Sequence, residues 1–202
     1  MFKIISFATN NTPYVKVLEN YLIPSLINTK VGYSLDIVDN LGDWTKNTSF
    51  KPKFILQKLN ELGCDVLFLD ADAVIKRDLM PLESLIPHDC LFACHFLQWK
   101  EWYGHQEPFR ELLSGTLYVR NCQETKEICQ EWSDRCTKTS EWEQKILSKL
   151  LEEKKIKVFD LPLSYCYITS MPDGTEPKVK CDDVHIQHWQ VSRQLRKSAR
   201  TR

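Results

Sequence analysis

Neither sign of charge is in excess: 27 Lys and Arg residues balance 27 Asp and Glu residues over 202 positions. No global field therefore recruits nucleic acid or an anionic lipid surface, and any charge that meets a phosphate has to be local. No run approaches the roughly 18 to 20 uninterrupted apolar residues of a membrane span. The opening MFKIISFAT reads as a strand and lacks the layout of a signal peptide. Internal repeats and low-complexity stretches are also missing. Eight cysteines are present (Cys64, Cys90, Cys94, Cys122, Cys129, Cys136, Cys166, Cys181), but no two form C-x-x-C. A chain of this length does not need disulfide staples, so reduced thiols and a cytoplasmic location are expected. Cys122, Cys129 and Cys136 recur every seven residues. That spacing spans too many helical turns to converge on zinc, and it suits core or interface positions of one helix.

With 43% hydrophobic and 27% charged residues, the chain has ordinary globular composition, which excludes disorder and fibre. KIISFAT at Lys3–Thr9 is rich in β-branched and aromatic residues, and Pro13 after the polar Asn10, Asn11 and Thr12 suits a helix start. Val15, Leu18 and Leu22 give that helix one apolar stripe before Pro24 interrupts it. A second strand is expected near Ser34–Val38, then a helix over Pro52–Leu62 with Phe54, Ile55, Leu59 and Leu62 inward and Gly63 as its C-terminal cap. Val66-Leu67-Phe68-Leu69 is apolar at every position, which predicts burial on both faces of a parallel sheet. Further strands are predicted at Cys90–Phe96, Leu112–Val119, Lys157–Phe159 and Val184–Trp189. Helices are predicted at Glu124–Cys136 and Glu141–Lys154, the latter burying Trp142, Ile146, Leu147 and Leu150. This alternation predicts an α/β fold: a single domain over residues 1–191 with a mainly parallel central sheet flanked by helices. Residues 192–202 read as a basic tail or the start of a linker. Leu97–Arg110 and Met171–Lys180, the latter with the turn Pro172-Asp173-Gly174, are irregular.

The strongest chemical signal is Leu69-Asp70-Ala71-Asp72-Ala73, two carboxylates at the end of an apolar strand, where sheets of this class bind ligands. In an extended segment Asp70 and Asp72 would point to one side and hold a divalent cation. A turn-opening or helix-capping Asp is the plainer account. Ala8-Thr9-Asn10 ends the first strand, where a small residue permits close approach and Asn offers donor and acceptor to a base edge. Ser114-Gly115 puts a glycine inside a strand, which suits close approach or a simple bulge. Glu143-Gln144 sits early on a helix, where the dipole favours an acid in any case. His185 and His188 fall on opposite faces of the last strand, so at most one joins the Asp pair, and His188 is favoured. Arg193, Arg196 and Lys197 are candidates for phosphate oxygens, and a solvated tail accounts for the last two equally well. Trp99 and Trp102 are expected on an acceptor side, where rings stack on sugars, with core packing as the alternative.

In order along the chain, FATNN, FLDADAV, LLSGTLYV, WEQKIL and HIQHWQVSR resemble GT-A-fold glycosyltransferases that carry a D-x-D motif and use nucleotide-diphosphate sugars. The group containing glycogenin and bacterial galactosyltransferases is similar over most of the length. The resemblance implies that Asp70, Asp72 and His188 bind Mn²⁺ (or Mg²⁺), and that Ala8, Thr9 and Asn10 hold the nucleotide of a UDP-sugar. It implies further that Asp70, Ala71, Lys53 and Arg193 contact the donor, that Ser114 and Gly115 line the sugar pocket, and that Glu143 and Gln144 face the reacting sugar as catalytic residues. The partners implied are a UDP-hexose donor and a glycan or protein hydroxyl acceptor. The sequence departs from the group by lacking its G-x-x-K-P-W ending, with Gln190 to Arg193 in that place, and by carrying Glu143 at the D-Q position. Two alternatives share these residues. One is an aspartyl-phosphate phosphatase with Asp70 as nucleophile, Asp72 as acid/base and Asp182-Asp183 as a late acidic pair. The other is a non-catalytic nucleotide-sugar-binding module.

Overall fold

The computed structural model describes residues 1–104, 109–171, 174–193 and 195. Pro172 and Asp173 of the expected turn, and the basic Arg196 and Lys197, lie outside the described residues. The strands are β1 (Lys3–Thr9), β2 (Tyr33–Val38), β3 (Val66–Leu69), β4 (Ala73–Ile75), β5 (Phe92–Gln98), β6 (Arg110–Val119), β7 (Val158–Asp160), β8 (Tyr167–Ile168) and β9 (Ile186–His188). The helices are α1 (Tyr14–Asn20), α2 (Leu22–Ser25), α3 (Trp44–Ser49), α4 (Lys51–Leu62), α5 (Leu82–Leu85), α6 (Trp99–Tyr103), α7 (Gln123–Thr137) and α8 (Glu143–Glu153).

Local chemistry places these boundaries. Pro13 caps α1, and Pro24 falls in the first turn of a separate short helix, α2, where its missing N–H costs nothing. Asp43 caps α3 by accepting from Lys46 N at 2.8 Å. Gly63, at φ 63°, closes α4 in the left-handed conformation that glycine adopts without penalty.

Six strands form one sheet in the order β2-β1-β3-β6-β5-β7, and three form a second in the order β4-β9-β8. In the large sheet β2, β1 and β3 run parallel, as do β5 and β7, while β6 is antiparallel to both β3 and β5. Val66 to Leu69 are all buried as expected, yet one neighbour of β3 is antiparallel. An apolar run reports that both faces of a strand are covered; it carries no information on the direction of the strand beside it.

Alternating residues feed two cores. Ile4, Leu67 and Tyr118 face α1, α2 and the second sheet, whose Ala73, Ile75 and Ile186 join that cluster. Ile5, Phe68 and Leu117 face the other way, onto Phe54 and Leu59 of α4, Trp132 of α7 and Leu147 of α8. Cys129 and Cys136 belong to this second core, Cys122 stands at the N-cap of α7, and all eight cysteines are free. Two expectations change. Trp142 is not in the core: as the N-cap of α8 it precedes the buried stripe and stays 44% exposed. The chain also remains in the fold past residue 191, because Leu195 packs against the first core.

Trp132 is fully buried, and its indole N–H donates to the backbone oxygen of Glu143 at 2.8 Å, tying α7 to the first turn of α8. Trp132→Ala is expected to lower unfolding free energy by about 3–5 kcal/mol in a denaturant titration, and Trp132→Phe by clearly less.

Candidate active site

Where β3 ends, the chain turns from the large sheet into the small one. Ala73 N donates to Asp70 O at 2.9 Å, so Asp70-Ala71-Asp72 is a tight turn, not the extended segment expected. The carboxylates nevertheless converge, because β9 pairs with β4 and sets His188 opposite Ala73. Ligand atoms of Asp70, Asp72 and His188 all lie within 4.8 Å of one another. Asp72 is fixed by Val191 N, which donates to Oδ2 at 2.9 Å, and its Oδ1 lies 3.5 Å from His188 Nδ1. The other ring nitrogen, Nε2, meets Thr116 Oγ1 at 2.8 Å. Burial works against a charge on His188, but Cys166 and Asp72 outweigh it and raise its pKa to about 10.

Two carboxylates and an imidazole form a donor set suited to Mn²⁺, and to Mg²⁺ through the oxygens. Gly115 makes the room: a Cβ there would lie 2.9 Å from Asp70 Oδ2 and 3.2 Å from His188 Cε1. The residues present therefore fit a divalent cation.

Behind Asp70 lies a buried lysine that the sequence did not single out. Lys51, its side chain 4% exposed, sets Nζ 3.2 Å from Asp70 Oδ1 and 3.0 Å from Glu143 Oε1. The same ammonium donates to Ser114 Oγ at 2.9 Å and Ser114 O at 3.2 Å, and it lies 4.8 Å from the Phe68 ring centroid. Burial would lower its pKa, but the Asp70 and Glu143 carboxylates more than compensate, so the ammonium is held. Burial pushes Glu143 upward against the pull of Lys51. Glu143 Oε1 accepts from Ser114 Oγ at 2.8 Å, while Oε2 is buried without a hydrogen-bond partner among the described residues. Gln144 Oε1 accepts from Ser114 N at 3.2 Å, and Nε2 donates to Glu111 Oε1 at 2.7 Å. Since a backbone N–H only donates and a carboxylate only accepts, the amide has one orientation. Trp99 Nε1 in turn donates to Glu111 Oε2 at 2.8 Å.

One cavity of about 230 Å³ lies at the carboxyl ends of β1 and β3. Ala8, Thr9, Asp70, Ala71, Asp72, Ser114, Gly115, Glu143, Gln144, His188 and Arg193 all reach its wall. Asn10, Lys53, Trp99 and Trp102 are not in that lining. Asn10 instead ties β1 to the loop after β2, donating to Asp39 Oδ1 at 3.0 Å and accepting from Asn40 N at 3.1 Å. Lys53 is exposed, because two residues along a helix from Lys51 is more than half a turn away. A signal for Lys51 was present: Lys51, Phe54, Ile55 and Lys58 share the i, i+3, i+4, i+7 face of α4. Trp102 is packed with Leu97 and Ile168, and Trp99 lies against that cluster, so both rings are spent on packing. The aromatic residues of the cavity wall include Tyr14, Trp44, Tyr103 and Trp142.

The profile of the family described as nucleotide-diphospho-sugar transferase matches residues 42–191, a span holding Lys51, the D-x-D turn, Ser114, Glu143 and His188. The chain belongs to this family. Its fold is shared with a glycosyltransferase involved in glycosylation of the major capsid of PBCV-1, at TM-score 0.67 and 14% identity, covering 100% of this chain and 99% of that one. The galactosyltransferase LgtC, crystallised with donor and acceptor sugar analogues, superposes at TM-score 0.56 and 13% identity over 94% of this chain and 87% of its own. GlyE of Streptococcus pneumoniae TIGR4 gives TM-score 0.58 and 17% identity, covering 93% of this chain and 55% of that one. A comparison with curated protein sequences finds no match. The structural likenesses carry the GT-A architecture, and family membership carries the nucleotide-diphospho-sugar glycosyltransferase class. The phosphatase alternative loses its late acidic pair as well: Asp182 and Asp183 are exposed, with Asp183 2.8 Å from Arg77. No helix among the described residues is long and apolar enough to cross a membrane.

Gly115→Ala is expected to weaken Mn²⁺ binding by about 10–100-fold in a calorimetric titration while leaving a cooperative thermal transition. Asp72 favours the protonated form of His188 in the free site, whereas a cation needs the neutral ring. Mn²⁺ affinity is therefore expected to rise with pH above neutral, and the rise should be reduced in His188→Gln in a calorimetric titration.

Proposed function

We propose that the protein transfers a hexose from a UDP-sugar to a hydroxyl acceptor, with Mn²⁺ (or Mg²⁺) held by Asp70, Asp72 and His188. The observation that carries this reading is the meeting, in one cavity, of that ligand set with the buried Lys51–Glu143–Ser114 cluster. The bound cation supplies charge neutralisation to the leaving diphosphate. Lys51 engages Asp70 through Oδ1 and so restrains the carboxylate whose Oδ2 lies beside Gly115. Arg193, anchored by donating to Ser170 O at 2.8 Å, brings a guanidinium to the same wall for phosphate oxygens. Ala8 and Thr9 offer the nucleoside a closely approachable strand end. Glu143 and Gln144 stand on the cavity wall as the groups that face the sugar, with Gln144 presenting an amide of fixed polarity. The likeness in fold to LgtC, which was crystallised with both kinds of sugar analogue, supports donor and acceptor meeting in this cavity.

Incubation with a panel of UDP-sugars and Mn²⁺ should release intact UDP and no orthophosphate from a generic phosphomonoester. Asp70→Asn and Asp72→Asn should each lower the transfer rate by about 10²-fold or more and remain folded by circular dichroism. Tight UDP-sugar binding without UDP release would favour the binding-module alternative, and Asp70-dependent orthophosphate release would restore the phosphatase.

A further inference from the structure

Two tryptophans stand at this cavity without a place in the chemistry described so far. Trp44 opens α3 and Trp142 caps α8, and both line the cavity. Their ring centroids are 5.9 Å apart with planes 80° apart, so the rings meet as a corner. Trp142 keeps 44% of its surface exposed, a costly state for the largest apolar side chain. The ammonium of Lys145, one turn along α8, lies 5.4 Å from its ring centroid and helps to hold the ring there. Trp142 directly precedes Glu143, so its backbone is anchored where Glu143 O receives the Trp132 indole. Asn47 and Thr48, from the same short helix as Trp44, also line the cavity, with the Asn47 amide hydrogen-bonded to Leu41 N and Asn40 Oδ1 and the Thr48 hydroxyl to Thr45 O.

We infer that Trp44 and Trp142 form the acceptor subsite and that the acceptor is itself a carbohydrate, a pyranose ring seated in the corner of the two indoles. The inference rests on the transferase reading above and adds the acceptor class to it. A pyranose has C–H faces that pack on indole and an equatorial rim of hydroxyls that needs polar partners; the corner offers the indoles, and Glu143 and Gln144 next to Trp142 are polar groups of the same wall. Trp142 directly adjoins Glu143 and Gln144, which puts the corner where a hydroxyl has to arrive to receive the sugar, while α3, its other wall, is tied through Asn47 and Asn40 to Asn10 beyond β1. A seryl or threonyl hydroxyl of a protein would present no ring for two indoles to grip.

The test uses the full chain, wild type and the variants Trp142→Ala, Trp142→Phe and Trp44→Ala, with three readouts. Calorimetry with UDP and Mn²⁺ reads the nucleotide end, and transfer kinetics with saccharide acceptors read the corner. Saturation-transfer NMR with methyl β-galactoside, methyl β-glucoside and their disaccharides reads sugar contact without turnover. Acceptor KM is expected to rise at least tenfold in Trp142→Ala and Trp44→Ala, with UDP affinity within twofold of wild type and most of the loss recovered in Trp142→Phe. The NMR contact should be seen in wild type and lost in Trp142→Ala. Weakened UDP binding in both alanine variants would assign the indoles to the base and overturn the inference. Unchanged acceptor KM, wild-type protein that contacts no saccharide of the panel, or transfer to a peptide hydroxyl untouched by the variants would overturn it too. Should wild type transfer from no nucleotide sugar yet contact the saccharides through Trp142, the transferase reading would fail while the sugar subsite stood.

Discussion

The cavity is organised around one buried charge. An ammonium removed from water is stable only where opposite charge and hydrogen bonds replace its hydration, and breaking such an arrangement by removing one partner typically costs about 3–5 kcal/mol. Lys51 obtains that replacement from the end of β3 (Asp70), from β6 (Ser114) and from α8 (Glu143), three elements far apart in sequence. None of these can shift without exposing the charge or leaving it unpaired. The Lys51 contact therefore sets the distance between the D-x-D turn and the start of α8, which carries Glu143, Gln144 and Trp142.

The second constraint is the passage of the chain between sheets at Asp70-Ala71-Asp72. β3 belongs to the large sheet and β4 to the small one, so the turn is the seam between them. The small sheet then brings in β9, and with it His188 and the backbone N–H of Val191 that fixes Asp72. Charge follows from this arrangement. Asp70 and Glu143 pair with the Lys51 ammonium, while Asp72 lies beside His188. The balanced global composition is consistent with such local sorting: the charge that matters is a handful of groups within one cavity.

How much of this was legible from the chain alone varies by residue. The apolar run Val66 to Leu69 ending in two aspartates marked both the central strand and the end where its chain turns, since four successive apolar residues followed by two acids are a property of the sequence itself. Gly115 was also visible as an oddity in a strand, though its reason, the space beside Asp70 Oδ2 and His188, was not. Lys51 was passed over for Lys53 because a lysine at a helix start ordinarily points to solvent; only its partners, up to 92 residues away at Glu143, make its burial tolerable. The aromatic segment at Trp99 and Trp102 misled for a related reason. Indole rings look alike in a sequence whether they pack or bind, and here those two pack, while Trp142, placed on the core stripe by its spacing, became the exposed cap.

By itself, then, the sequence determined the main strands and helices, the two-faced burial of the central strand and the place of the Asp70-Asp72 pair at its end, because these depend on periodicity and on chemistry between near neighbours. Tertiary structure decided which way β6 runs and that the D-x-D segment turns between two sheets. It also decided that Lys51 sits between Asp70 and Glu143, and that Trp44 and Trp142, not Trp99 and Trp102, face the cavity. Each of these hangs on a contact between segments tens of residues apart. The energy of such a contact, whether a desolvated ion pair or a ring edge against a ring face, exists only once the fold has brought its partners together.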